Sequence, residues 1–80
     1  MTLPTFHEGI QLGPINLDGM TDSELAEAAL HPALHLDVRA YARTQIEARK
    51  ARLSGDIVKA MKLENVCERV YATIPTKLRW

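Results

Sequence analysis

Downstream of residue 20, apolar side chains recur at intervals of three and four residues in three separate stretches of the sequence. This spacing places them on one face of an α-helix, whereas strict alternation would indicate a strand. The pattern therefore predicts three helices. The first covers about residues 22–30, the second begins between 32 and 37 and runs to about 53, and the third covers about 56–73.

Local signals at the helix ends support these boundaries. Thr21 and Glu24 have the spacing of a capping box, in which each side chain accepts a hydrogen bond from the other residue's backbone amide. Pro32 ends the first helix, because the residue before a proline avoids the α conformation. Gly55 closes the second helix and Asp56 caps the third. Two long helices joined by so short a turn are predicted to form an antiparallel hairpin.

The first twenty residues have a different pattern, because glycines and prolines interrupt any helix. Their apolar side chains are too numerous to leave in water, so we expect an extended arm laid across the helices. Residues 10–12 and 15–17 alternate in polarity and suggest a short strand pair, although two strands alone are marginal. The predicted fold is all-α: an arm (1–20) and a helical domain (21–80) with one short helix and a hairpin.

The composition agrees with a small helical domain that shares its apolar surface with a partner. Eighty residues make one domain near the lower size limit for a self-sufficient core, and only four residues are aromatic. The third helix has two apolar stripes, which is more than one neighbouring helix needs. We therefore predict a homo-oligomer, with the interface between copies at Leu63, Val66, Val70 and Ile74.

Charge is segregated along the chain, although the formal net charge is zero. The first 36 residues contain five Asp and Glu and no Lys or Arg, and the remainder contains ten Lys and Arg against five Asp and Glu. Such a chain has reason to fold its arm onto its body, to pair head to tail with other copies, or to offer a basic face to an anion. The sequence leaves these three outcomes open.

The basic residues of the second helix are the main candidates for binding a ligand. A solvated polar face is the default interpretation of mixed charge on an amphipathic helix. The alternative is a contact with a phosphate or an acidic surface, with Tyr41 stacking on a nucleotide base and the guanidinium groups binding its phosphates. Trp80 would contact a partner if it is exposed, or would hold its own chain together, as a staple, if it is buried. The candidate residues are Arg39, Tyr41, Arg43, Arg49, Lys50, Arg52 and Trp80.

Other chemistries are disfavoured by the residue pattern. His31 and His35 are four residues apart, but Pro32 lies between them at a helix boundary, so no metal or cofactor is expected. Cys67 falls on an apolar stripe, where a thiol behaves as a small hydrophobe rather than as a nucleophile. No catalytic motif is present, and we expect a protein without enzymatic activity.

Nucleic-acid binding, a membrane span and secretion are also disfavoured by the sequence, and a cytoplasmic location is favoured. Nucleic-acid binding is disfavoured because the helix after the turn opens with Asp56 and apolar residues, and because the chain has no net positive charge. No apolar run approaches the ~20 residues that span a bilayer, and no signal segment is recognisable. A lone cysteine agrees with a reducing compartment, so we expect a cytoplasmic protein.

The segment Gly55-Asp56-Ile57, followed by Ala60-Met61, resembles the turn and second-helix start of a tetratricopeptide repeat. This resemblance implies a tight helical hairpin. The sequence contains one such unit, and Pro75 comes about three residues later than the repeat period would place it. A solenoid needs about three units to bury its faces, so we expect a solitary hairpin.

Residues 41–80 resemble small proteins of bacteriophages and prophages, through Tyr41, Ala42, Ala48, Arg49, Leu53, Gly55, Ile57, Ala60, the run Cys67-Glu68-Arg69-Val70-Tyr71, Pro75 and Arg79-Trp80. This resemblance implies an accessory protein in the host cell cytoplasm. It would inhibit a host protein or defence complex by stoichiometric binding. The alternative is an oligomer whose basic pockets sequester an anionic signalling nucleotide, and a DNA-binding regulator ranks third.

Overall fold

The structure is a computed structural model that describes residues 6–7, 10–11 and 13–80. Its main elements are three helices, α1 (Asp22–Leu30), α2 (Leu36–Leu53) and α3 (Ile57–Thr73). Two short 3-10 turns flank them, at Leu17–Gly19 and Thr76–Leu78. The all-α class and the antiparallel α2–α3 hairpin predicted from the sequence are confirmed.

The N-terminal ends of α1 and α2 are capped by side chains close to them in sequence. At the start of α1, the Thr21 hydroxyl oxygen accepts from the Glu24 amide at 3.2 Å, and the Glu24 carboxylate accepts from the Thr21 amide at 3.0 Å. At the start of α2, His35 Nδ1 accepts from the Asp37 amide at 3.1 Å. These contacts satisfy backbone donors that have no partner within the helix.

The turn between α2 and α3 depends on one glycine. Gly55 has a φ of +85°, which is the left-handed region that residues with a Cβ atom rarely adopt. The Asp56 carboxylate then accepts from the Lys59 amide at 3.1 Å and begins α3. The chain reverses within three residues, so α2 and α3 lie side by side along most of their length.

The strand pair lies earlier in the chain than the sequence pattern suggested. Strand β1 (Phe6–His7) pairs with β2 (Ile10–Gln11) in antiparallel register, with Phe6 opposite Gln11 and His7 opposite Ile10. A pairing of residues 10–12 with 15–17, which the alternation suggested, is not the one formed, because Leu17 begins a 3-10 turn that the Asn16 side chain caps. The Gln11 amide instead donates to the carbonyl oxygen of Ala33, in the α1–α2 connection.

Residues 13–20 of the predicted arm, which the structure describes without a gap, pack against the helices. Ile15, Leu17 and Met20 are buried, which agrees with an arm folded in cis onto its own body. The rest of that prediction, for residues 1–5, 8, 9 and 12, lies outside the described residues.

The core lies between α1, the first half of α2 and the second half of α3, and is closed by residues 13–20 and 74–80. Its members are Ile15, Leu17, Met20, Leu25, Ala28, Ala29, Leu34, Val38, Tyr41, Ala42, Cys67, Ile74 and Leu78. Ile74 is fully buried in its own chain, so its assignment to an interface between copies is wrong. Pro75 ends the helix there, and the chain turns across the core instead of continuing along the α3 surface.

Replacing Gly55 by Ala is expected to lower the free energy of unfolding by about 1 kcal/mol, because the added Cβ atom disfavours a positive φ. Gly13→Ala is the matched control, since a Cβ atom there meets nothing within 4 Å and the backbone does not require glycine. Urea denaturation followed by circular dichroism measures both variants. Equal stability of the two would contradict the role of Gly55.

Candidate functional site

The Asp18 carboxylate joins three segments of the chain. One oxygen accepts a hydrogen bond from the Tyr41 hydroxyl at 2.6 Å, and the other accepts from the Trp80 indole nitrogen at 3.0 Å. Tyr41 lies on α2 and Trp80 follows the last 3-10 turn. A charged acceptor makes both hydrogen bonds stronger than neutral ones would be. Asp18 therefore holds the arm, α2 and the C-terminal segment together.

Three aromatic rings pack beside this carboxylate. The ring of Trp80 lies 4.9 Å from the centres of both the Tyr41 and the Tyr71 rings, at interplanar angles of 84° and 85°. These edge-to-face contacts are a favoured geometry for aromatic pairs. The Tyr71 hydroxyl also donates to the backbone oxygen of Trp80. Of the two roles considered for Trp80, the structure places it as a staple within its own chain.

Tyr41 is only 7% exposed and its hydroxyl is bound to Asp18, so little of its ring is open for stacking on a nucleotide base. Desolvation raises the pKa of the Tyr41 hydroxyl, and the hydrogen bond to Asp18 raises it further. Its ring also lies far around α2 from Arg39 and Arg43, since two residues correspond to about 200° of helix rotation. One chain therefore does not assemble the predicted clamp of guanidinium groups around an aromatic ring.

Arg49 fastens α2 to the start of α1. Its Nη1 donates to the carbonyl oxygen of Met20 at 2.7 Å and to the carboxylate of Asp22 at 3.1 Å. Its Nη2 donates to the carbonyl oxygen of Asp18 at 3.4 Å. The guanidinium group thus satisfies backbone oxygens on the acidic N-terminal segment and is not presented to an external anion.

Arg52 is also engaged within the chain. It binds both carboxylate oxygens of Glu64 on α3, from Nε at 2.8 Å and from Nη2 at 2.6 Å. This pair raises the pKa of Arg52 and lowers the pKa of Glu64 through the hydrogen bonds. The remaining predicted basic residues are Arg43 and Lys50, which are exposed, and Arg39, whose buried Nε has no hydrogen-bond partner.

The end of the α2–α3 hairpin has an exposed apolar surface. We call residues 50–62 the hairpin tip. Arg49, the residue just before the tip, contacts Met20 and Asp22 at the start of α1. The tip therefore projects beyond that end of α1. Within the tip, only Ala51 and Ala60 are buried, and they belong to the thin α2–α3 seam rather than to the main core. The exposed apolar residues there are Leu53 (84%), Ile57 (45%), Val58 (67%) and Met61 (56%).

The hairpin tip also carries basic side chains. The tip contains Lys50, Arg52, Lys59 and Lys62, and its one acidic residue is Asp56. Glu64, just outside it, neutralises Arg52, and the Lys50 ammonium lies 3.8 Å from a carboxylate oxygen of Glu47. Lys59 and Lys62 are exposed, so the rim of the apolar surface remains basic.

Only part of the apolar stripe on α3 that was predicted as an interface between copies is exposed in the structure. Leu63 and Val70 are half-buried, and Val70 packs against the core. Val66 is 39% exposed. With Ile74 removed from this set, the stripe offers less apolar surface than the hairpin tip does.

His31, His35 and Cys67 have local structural roles. The Nδ1 atoms of His31 and His35 accept from the backbone amides of Ala33 and Asp37. Cys67 is buried, and its thiol lies 3.4 Å from the side-chain oxygen of Gln45. Among the described residues, no three His, Cys, Asp or Glu side chains are arranged to hold a metal ion. Within the same residues, none of the helices combines the length and apolarity needed to cross a membrane.

No family model matches the sequence, and neither the curated proteins nor the solved structures include a chain that is significantly similar to it. The functional argument therefore depends on the geometry of this chain. Sequence reasoning missed Asp18 as the centre of the aromatic cluster. A signal was present, because buried Tyr and Trp side chains require a hydrogen-bond acceptor and the arm contains two carboxylates, Glu8 and Asp18.

Replacing Tyr41 by Phe is expected to lower the free energy of unfolding by about 1–2 kcal/mol, because the Asp18 carboxylate loses a donor and the ring volume is unchanged. Urea denaturation with Trp80 fluorescence as the signal measures the change. The Trp80 indole donates to the same carboxylate, so its emission also reports whether the cluster reorganises. A Tyr41→Phe variant as stable as the parent would show that the Asp18 contact contributes nothing.

Cys67 is expected to resist thiol reagents in the folded protein. Burial raises the pKa of the Cys67 thiol to about 11, with smaller contributions from Asp18 and Glu64. At pH 8 roughly one thiol in a thousand would then be the reactive thiolate. The reaction with a disulfide reagent should therefore follow global unfolding and become fast in denaturant. Rapid reaction at pH 8 without denaturant would contradict this burial.

Proposed function

We propose that this protein is a non-enzymatic binding protein that inhibits a partner protein stoichiometrically, by covering part of the partner's surface with its hairpin tip. The observation that carries the proposal is the group of exposed apolar residues at the tip, Leu53, Ile57, Val58 and Met61. Fully burying one such side chain contributes about 1.5–3 kcal/mol. Four of them on adjacent turns are sufficient for the apolar centre of an interface.

The charge of the tip indicates the chemistry of the partner. An apolar centre with a basic rim at Lys59 and Lys62 complements an apolar groove with Asp and Glu at its margin. Such complementarity accelerates association and discriminates against basic partners. The proposed occupant is therefore a protein surface of this acidic kind, rather than a second copy of the chain.

The resemblance of residues 41–80 to phage and prophage proteins gives the proposal a setting. In an infected bacterium the partner would be a host protein, such as a component of a defence complex. The alternative, a nucleotide sponge, has less support. Its pocket requires Tyr41 and Arg49, and both are engaged with the N-terminal segment of the same chain.

The proposal is tested with a variant that removes the apolar character of the tip, Val58→Gln with Met61→Gln. Both side chains are exposed and glutamine is a good helix former, so the fold should be retained. The matched control is Leu30→Gln with Leu36→Gln. These two leucines, 81% and 68% exposed, lie on α1 and α2 outside the tip.

Tagged parent and variants are used to capture proteins from a bacterial host lysate, and the captured proteins are quantified by mass spectrometry. The parent and the control variant should retain one partner in near-equimolar amount, and the tip variant should retain at least about tenfold less, the effect of losing 1.4 kcal/mol. Raising the salt concentration should weaken the complex, since its charged rim is screened.

Two results would overturn the proposal. One is the absence of any partner whose capture depends on the tip. The other is self-association of the purified parent, measured by light scattering over a dilution series, that the tip variant abolishes. In that case the occupant of the tip is a second copy of the chain.

A further inference from the structure

A cavity of about 220 Å³ opens beside the aromatic cluster. It is lined by Asp18, Tyr41, Glu68, Tyr71 and Trp80. None of these residues belongs to the hairpin tip, so the cavity is a separate feature of the molecule. The Trp80 ring is nearly perpendicular to both tyrosine rings. The two tyrosine rings are 64° apart. The lining thus combines three aromatic side chains with the carboxyl groups of Asp18 and Glu68.

The two carboxylates are not neutralised by basic side chains. Within the described part of the chain, neither Asp18 nor Glu68 forms an ion pair with a Lys, Arg or His. Among the described residues, the Asp18 carboxylate accepts hydrogen bonds from the uncharged donors of Tyr41 and Trp80. Arg49 is nearby but binds the Asp18 carbonyl oxygen. The cavity therefore has a local negative charge.

A second nearby cation, Arg79, is held elsewhere. Its Nε donates to the carbonyl oxygen of Ile74 at 2.9 Å, and its Nη2 donates to that of Ala72 at 2.6 Å. Its guanidinium carbon lies 5.9 Å from the centre of the Tyr71 ring, which is a cation–π distance. The aromatic cluster already attracts one cation, and this cation does not pair with either carboxylate of the cavity.

We propose that this cavity binds a methylated ammonium group of a small molecule. Aromatic side chains attract such a group electrostatically, and the carboxylates add a longer-range attraction. Each Asp18 oxygen already accepts one hydrogen bond from its own chain, so this carboxylate contributes mainly its charge. A quaternary ammonium needs charge and apolar contact and donates no N–H hydrogen bonds, whereas a primary ammonium would have three donors to satisfy.

The size of the cavity limits the ligand further. Sites for drug-sized molecules have volumes of about 300–1,000 Å³, so a smaller cavity suits a head group rather than a whole nucleotide. Its negative charge would also repel a phosphate. The site therefore differs in ligand class from the basic pockets of the nucleotide hypothesis, and it does not depend on the proposed partner of the hairpin tip.

The chain's single tryptophan lines the cavity, so Trp80 fluorescence reports binding directly. The probes are tetramethylammonium chloride and choline chloride, titrated at constant ionic strength against sodium chloride. The neutral control is 3,3-dimethylbutanol, which has the shape of choline without its charge. The expected result is a saturable fluorescence change with both ammonium probes and none with sodium chloride or with the alcohol at equal concentration.

The charge requirement is tested with Glu68→Gln, which keeps the shape of an exposed side chain. It should weaken choline binding roughly three- to tenfold, the effect of removing one charge about 4 Å away in a site open to water. Glu47→Gln, which makes the same change on the outer face of α2, should leave binding unchanged. Equal binding of the neutral alcohol, an unsaturable response, or equal effects of the two substitutions would overturn the proposal.

Discussion

The hydrogen bonds to the Asp18 carboxylate are the contacts on which the organisation of this protein depends. Asp18 lies in a short 3-10 turn. It joins Tyr41, in the first half of α2, to Trp80, which is 62 residues after Asp18 in the chain. Without it, the hydroxyl of the buried Tyr41 would lose its acceptor, and an unpaired buried donor costs about 1–3 kcal/mol. For an 80-residue domain, whose total stability is of the order of 5–10 kcal/mol, this is a substantial fraction.

The same contacts divide the molecule into two parts with different packing. Around Asp18, the arm and the C-terminal segment cover the hairpin with large side chains, among them Leu17, Ile74 and Leu78. Toward the Gly55 turn, the seam between α2 and α3 is formed by alanines, and no segment among the described residues covers the apolar side chains beside it. Small residues bring two helices close together but bury little area, so this end gains little from its own packing. The exposed tip is therefore a consequence of where the arm and α1 begin and end.

The elements that sequence reasoning predicted correctly are those fixed by nearby residues. The start of α1 depends on Thr21 and Glu24, and the hairpin turn depends on Gly55 and Asp56. Each of these signals spans no more than four residues. The elements that it missed depend on long-range contacts. The apolar pattern does not reveal that Ile74 turns inward after α3, nor which carboxylate of the arm meets Tyr41 and Trp80. The apolar pattern likewise does not reveal that the backbone amide of Gln11 donates to the carbonyl oxygen of Ala33, 22 residues later in the chain.

In the fold, the acidic N-terminal segment contacts the hairpin, and this contact relates to the segregation of charge along the sequence. Asp18 and Asp22 of the acidic N-terminal segment accept hydrogen bonds from Tyr41, Trp80 and Arg49, so part of the acidic charge is used to fasten the arm and α1 to the hairpin. Of the three outcomes that the sequence left open, the arm folded onto its own body is the one seen in the described residues. Arg49 is the basic residue taken up by this contact, while Lys59 and Lys62 lie past the start of α1. The folding of the acidic segment onto one end of the hairpin thus leaves the other end both apolar and basic, and these are the two properties that an interface with an acidic protein surface requires.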